Sequence, residues 1–268
     1  MEETTFEIKH KKEVLAFDKM LSLMEQVRKD CPWDNAQTNE TLRTLTIEEL
    51  YELSQAILDK NDKEICKELG DVMMHVIFYS LIGKEKNAFD ITDVLDSLSE
   101  KLIRRHPHVF NKNSNLTAQD VERNWERIKL KEGNRSTFSG VPQTLPSLIK
   151  AYRLQDKAKG IGFDWKNKDD VWQKVIEEIG ELKEELNKND EDNNENITQE
   201  FGDVLFALIN YARFIDVNPD TALEKTNRKF KSRFEYMETR AKEQGKPLQD
   251  MTIDEMENLW QEAKQKEL

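Results

Sequence analysis

Residues 175–186 read VIEEIGELKEEL, and residues 200–212 read EFGDVLFALINYA. In the first stretch Val175, Ile179, Leu182 and Leu186 recur at steps of three and four. In the second, Phe201, Leu205, Leu208 and Ala212 do the same. That period is the stripe of an amphipathic helix, and it predicts two helices whose stripes pack inward. Between them, residues 187–196 (NKNDEDNNEN) are polar, acidic and too poor in apolar side chains to pack. They predict a mobile loop that turns one helix back on the other. Ile65, Leu69, Val72 and Val76 show the same period earlier in the chain. No convincing run alternates as a strand would, so the chain predicts an all-α fold.

The stretch also occurs twice. Glu48-Glu49-Leu50-Tyr51-Glu52 matches Glu177-Glu178-Ile179-Gly180-Glu181, and Glu68-Leu69-Gly70-Asp71-Val72 matches Glu200-Phe201-Gly202-Asp203-Val204. Lys101 and Arg105 match Lys229 and Arg233, and Glu122 and Trp125 match Glu257 and Trp260. Upstream, Cys31-Pro32-Trp33-Asp34 stands where the second half has Gly162-Phe163-Asp164-Trp165. The order is kept throughout, which marks two copies of one helical module. Residues 133–146 (GNRSTFSGVPQTLP) are rich in turn formers and read as a linker. The expected organisation is a module over 1–132, a linker over 133–148 and a second module over 149–268.

With 268 residues the chain has room for about two domains. Charged residues make up 35% and the net charge is -12, which argues against partners that are nucleic-acid polymers. Cys31 and Cys66 have no metal-type spacing. The charged stretch Met1–Lys12 has no apolar signal region, and no segment reaches the length of a membrane span. These features predict a soluble, cytoplasmic protein.

The chemistry lies in the acids. Glu177 or Glu178 and Glu181 share one helix face, and Glu200 and Asp203 share a face of the next helix. Converging carboxylates, with no Lys or Arg interposed, repel one another and are costly to bury without a cation. Hard oxygen ligands suit Mg²⁺. In so acidic a chain any single pair of this kind is cheap, and the weight comes from its repetition. Lys225, Arg228, Lys229, Lys231, Arg233 and Arg240 add positive charge, of which Lys229 and Arg233 lie one turn apart and could bind phosphate. Lys101, Arg104, Arg105 and His106 form the matching cluster of the first copy. Trp165, Trp172 and Trp260 could each stack on a base, although a Trp is more often a core residue. Trp260 stands out because its surroundings in the sequence are polar. His75 has Ala207 as its counterpart and reads as structural or incidental, while His106 and His108 beside Pro107 mark a helix end. Gly70 and Gly202 are unusual inside helices, and close approach of another helix would explain them. No G-x-x-x-x-G-K-[ST], G-x-S-x-G, H-E-x-x-H or C-x-x-C motif is present.

Taken together, CPWD, EELYE, KELGDVMMHVIFY and KLIRRHPHVF resemble the first domain of the MazG family. GFDW, EEIGE, EFGDVLFALINYAR and NRKFKSRF resemble its second. The resemblance runs from about Phe17 to Lys266. It implies two tandem four-helix-bundle-like modules, a homodimer, and hydrolysis of nucleoside triphosphates to a monophosphate and pyrophosphate. Carried over, it implies that Glu178, Glu181, Glu200 and Asp203 hold Mg²⁺, with Mn²⁺ as an alternative ion. Glu177 would orient or deprotonate water, and Lys229 and Arg233 would bind phosphate. Glu177 and Glu178 would also lie against the nucleotide, with Lys174 and Trp260 as further nucleotide contacts. The second domain is the usual active one, and Glu49, Glu52, Glu68 and Asp71 would form a second metal site. The family's substrate-side contacts would fall in residues 187–196, whose composition suits them poorly. Two other readings compete: a non-catalytic helical scaffold that binds a regulatory partner, and a hydrolase of a specialised nucleotide such as guanosine tetraphosphate.

Overall fold

The computed structural model describes residues 9–110, 117, 121, 128, 136–188 and 193–266. The chain divides into two compact units, Met1–Asn113 and Ser114–Leu268. Among the described residues both are built from helices and turns, with no strand. The expected pair Glu122 and Trp125 lies outside the described residues.

The first unit holds α1 (Lys11–Asp30), α2 (Pro32–Asn35), α3 (Asn39–Leu58), α4 (Asp62–Glu85), α5 (Ile91–Arg105) and α6 (Pro107–Phe110). Short polar side chains start these helices by accepting from orphan N–H groups. Thr38 and Thr41 form a capping box on α3, Asn61 caps α4, and Asp90 and Asp93 box α5. The connection between α3 and α4 is short, so the two pack as an antiparallel hairpin. Helix α1 covers the pair, and Met24, Leu42, Ile77, Phe78 and Ile82 form the core. Gly83 is required there, because a Cβ would lie 2.7 Å from the Phe89 carbonyl oxygen. As expected, helix α5 ends at His106, beside Pro107.

The second unit holds α7 (Ser147–Gly160), α8 (Lys168–Leu186), α9 (Asn194–Phe214), α10 (Pro219–Glu243), a 3₁₀ turn (Leu248–Asp250) and α11 (Ile253–Gln265). Helices α8 and α9 make the same hairpin as α3 and α4, with α7 and α10 against α9. Helix α11 folds back on α10 around Met237, Ala241, Met251 and Leu259.

Three expectations change. Residues 194–196 belong to α9, and Asn193 is buried, donating to the Glu185 carbonyl at 2.8 Å, so that end of the acidic segment is folded. The stripe Val175-Ile179-Leu182-Leu186 does not all point inward. Val171, Val175 and Glu178 line the buried seam of α8, while Ile179 and Leu186 are exposed. On α9 and α4 likewise, Phe201, Leu205, Leu208, Leu69 and Val76 are exposed. Finally, a Cβ on Gly70 or Gly202 would meet nothing within 4 Å, so close approach of a helix inside the unit does not account for either glycine.

Candidate metal centre

The register of α8 brings the acids together. Glu178 follows Val171 and Val175 along the buried seam, so the fold carries one carboxylate into the helix interface. One oxygen from each of Glu178, Glu181 and Glu200 lies within 4.8 Å of the others. The first unit gathers Glu49, Glu68 and Asp71, taking the counterpart of Asp203 in place of that of Glu181, with Glu68 buried and the other two half-buried. Asp203 and Glu52 stand outside these closest sets.

An octahedral shell at about 2.1 Å puts neighbouring ligand oxygens about 3 Å apart, so a cation needs only a small inward movement of either set. The donors are all hard oxygen, which fits Mg²⁺ or Mn²⁺. In the first unit, one oxygen of Glu68, Oε2, is buried without a hydrogen-bond partner, as a carboxylate awaiting a cation would be.

The electrostatics reflect crowding. Burial holds the Glu49 carboxyl above the usual carboxylate range, reinforced by the charges of Asp71, Glu52 and Glu68 and opposed by Lys67. Glu181 is also raised, first by its hydrogen bond with Glu178 and then by desolvation and the Glu178 charge. A cation would reverse both shifts by favouring the charged forms.

The second centre is not free of interposed positive charge, contrary to expectation. Lys174 sits one turn before the acids, with its Nζ 2.6 Å from Glu177 and 2.8 Å from Glu178. Those two hydrogen bonds raise its pKa. The spacing K-x-x-E-E at 174–178 carries the signal, since i,i+3 and i,i+4 partners face each other on a helix. In the first unit Lys67 reaches Glu68 Oε1 at 2.8 Å from a solvent-exposed position.

The remaining candidates fall elsewhere in the fold. Arg233 lies over the Trp260 ring at 5.4 Å, and Phe230 meets the same ring at 5.3 Å, so α10 and α11 assemble a cation–aromatic cluster. Trp260 is half-buried against the Met237–Leu259 core, so the polar sequence around it conceals real core demand. Lys229 is exposed on α10, one turn before Arg233. Arg228, Lys231 and Arg240 form ion pairs with Glu224, Glu235 and Glu243, as neighbours on a charged helix do. Trp172 packs on Tyr211 at 4.8 Å, and both Trp172 and Trp165 are exposed.

Two polar anchors were not legible in the sequence. The Arg213 guanidinium donates to both Asp164 oxygens, at 3.0 and 2.5 Å, and pins the GFDW segment to α9. The Thr46 hydroxyl joins His75 Nδ1 at 2.8 Å and the Tyr79 hydroxyl at 2.7 Å, linking α3 to α4. Their partners lie 29 to 49 residues apart, beyond any local pattern.

A doubled antiparallel helix pair, each carrying a trio of converging carboxylates, defines an all-α protein built from tandem acid-centred modules. Residues 37–110 and 167–237 both match the MazG nucleotide pyrophosphohydrolase domain, and the chain belongs to that family. It is 40% identical over 255 residues to the Thermotoga maritima nucleoside triphosphate pyrophosphohydrolase/pyrophosphatase MazG, covering 93% of this chain and 96% of that one. An Escherichia coli K12 nucleoside triphosphate pyrophosphohydrolase is 35% identical over 258 residues, covering 94% and 98%. The Bacillus subtilis protein YabN is 44% identical over 256 residues, covering 94% of this chain and 52% of its own length.

Proposed function

We propose that the second unit hydrolyses nucleoside triphosphates to nucleoside monophosphate and pyrophosphate. The observation that carries this reading is the Glu178–Glu181–Glu200 trio, set on the hairpin that matches the pyrophosphohydrolase family. Family relatives covering nearly the whole chain bear names for this activity.

In this reading Glu178, Glu181 and Glu200 would hold Mg²⁺, or Mn²⁺ in its place, and Asp203 would join them from one turn further along α9. The ion's chemistry there is to neutralise triphosphate charge and acidify bound water. Glu177 is exposed and paired with Lys174, and in this reading it would orient a water or take its proton. Water is added across the bond between the α- and β-phosphates, which breaks to give nucleoside monophosphate and pyrophosphate. Lys229 and Arg233 supply fixed positive charge for phosphate oxygens. Lys174 and Trp260 are the nucleotide contacts, Trp260 by stacking. Residues 133–148 join the two modules, and the protein works in the cytoplasm as a homodimer. The partners are small nucleotides rather than nucleic-acid polymers, which the acidic surface repels, and no described helix is long and apolar enough to cross a membrane.

Glu178→Gln tests the assignment. It removes one negative charge with little change of shape, and turnover should fall by about a hundredfold or more, an oxyanion-scale loss. Products are read by separating monophosphate from diphosphate on an anion-exchange column. Full activity in this variant, together with loss in Glu49→Gln, would move catalysis to the first unit. Release of orthophosphate alone would refute the bond assignment.

A further inference from the structure

We infer that the two acidic centres take up divalent cations in different ways. The first, Glu49–Glu68–Asp71, is a resident cation site that fills without nucleotide. The second carries its own cation, Lys174, and takes a metal only together with an anion that draws Lys174 away. This deepens the pyrophosphohydrolase reading and rests on it for the identity of that anion.

The first centre has an unmet demand for positive charge. Glu68 is 4% exposed, and its Oε2 has no partner. Its other oxygen meets only Lys67, whose side chain is 60% exposed and so is weakened by solvent screening. A buried carboxylate oxygen left without donor or cation is costly. Beside it opens a cavity of about 440 Å³, lined by Tyr51, Glu52, Gln55, Glu64 and Glu68, which offers a route from solvent.

The second centre already holds an ammonium. Lys174 bonds both Glu177 and Glu178, and no oxygen of Glu178, Glu181 or Glu200 is buried without a partner. The difference is written in the register of the repeat. Leu45 stands four residues before Glu49, where Lys174 stands four before Glu178, and Leu45 packs into the first core. A divalent ion entering the second centre must displace an ammonium already paired twice. A polyphosphate supplies the ammonium with replacement oxygens, so metal and anion enter together.

Mn²⁺ binding to the full-length chain, followed by the electron-spin resonance signal of the free ion, tests this. Without nucleotide, one Mn²⁺ per chain should bind. Glu68→Gln and Asp71→Asn should each weaken it by about tenfold or more, while Glu178→Gln leaves it unchanged. Adding a non-hydrolysable nucleoside triphosphate should recruit further Mn²⁺ in the native chain and not in Glu178→Gln. Lys174→Met should gain a second Mn²⁺ with no nucleotide present. If Glu68→Gln fails to fold by circular dichroism, Asp71→Asn carries the first arm. Nucleotide-free Mn²⁺ that survives the first-unit change, or is lost in Glu178→Gln, overturns the inference, as does an absence of nucleotide-free binding. Turnover assays on the same samples separate the two claims. A chain with this Mn²⁺ pattern but no triphosphate hydrolysis would sink only the proposed function.

Discussion

His75 is the residue whose role is most fully determined by its surroundings. The Thr46 hydroxyl donates its single proton to the Leu42 carbonyl, 2.9 Å away. Its lone pairs must then accept from His75 Nδ1 and from the Tyr79 hydroxyl, which fixes the imidazole as the Nδ1-protonated tautomer. Burial holds the His75 pKa below its ordinary value of 6.5, and the Asp71 charge pulls less strongly the other way. Below pH about 6.5 the unfolded chain therefore binds a proton that the folded chain refuses. Stability contributed by neutral His75 is present above that pH and is lost as pH falls toward the folded pKa. Thermal melting between pH 7 and pH 5 should therefore lose midpoint more steeply in the native chain than in His75→Gln. Equal slopes would remove the imidazole from the account. The sequence already marked His75 as structural or incidental, because Ala207 replaces it in the second copy. What it did not reveal was Thr46, since a partner 29 residues away becomes visible only when α3 and α4 pair. Lys174 shows the opposite case. Its distance from Glu177 and Glu178 was legible, but its meaning required knowing that Glu178 is buried and in need of a cation.

At the scale of elements, period 3.6 located the helices correctly and misjudged which face turns inward. Helix α8 is apolar on two sides, and Val171 and Val175 share the buried one with Glu178, whereas Ile176 and Ile179 share the exposed one. Periodicity finds a stripe but does not choose between two of them. Helix termini were more local and more legible in principle, because a cap needs only neighbouring residues. The start of α11 is the fullest case. The Thr252 side chain accepts from the Glu255 N–H, and the Glu255 carboxylate accepts from the Thr252 N–H at 2.6 Å and from Lys246. The Lys246 hydrogen bond, then the Thr252 N–H, hold Glu255 at about 2. Because the folded pKa is depressed, this support is complete above the unfolded value of 4.5 and disappears as pH falls toward 2. Thr252→Ala should cost about 1 kcal/mol in urea unfolding at pH 7. The backbone N–H at 252 and Lys246 both remain in that variant, so the pH dependence is read in Glu255→Gln, whose deficit against the native chain should shrink at pH 3, where part of the Glu255 population is protonated in the unfolded chain alone. A gap that is constant with pH would mean that the box and its ion pair contribute nothing through the carboxylate.

At the scale of the whole molecule, the proposed homodimer is tested on the apolar faces that the units leave uncovered. Ile176, Ile179, Phe201, Leu205 and Leu208 are all exposed on α8 and α9, and Leu50, Tyr51, Leu69, Met73 and Val76 are exposed on α3 and α4. Soluble chains seldom leave contiguous apolar surface of this kind in water. Gly70 and Gly202 lie among these residues, each with open space at its Cβ. A helix glycine costs about 1 kcal/mol relative to alanine, and nothing inside its own unit repays that cost. In the proposed homodimer, close packing of a second copy across the same helices would account for both the apolar face and the glycines, and a two-fold pairing would let one patch serve as its own complement. The native chain should therefore sediment at twice the chain mass at micromolar concentration. Leu205→Asp places a charge in the middle of the α9 face without touching the buried seam, so it should give a folded monomer with unchanged helix content by circular dichroism. Gly202→Leu, which fills the open space, should weaken the dimer in the same direction. A native chain that sediments as a monomer, or a Leu205→Asp variant that stays dimeric, would require another occupant for that face.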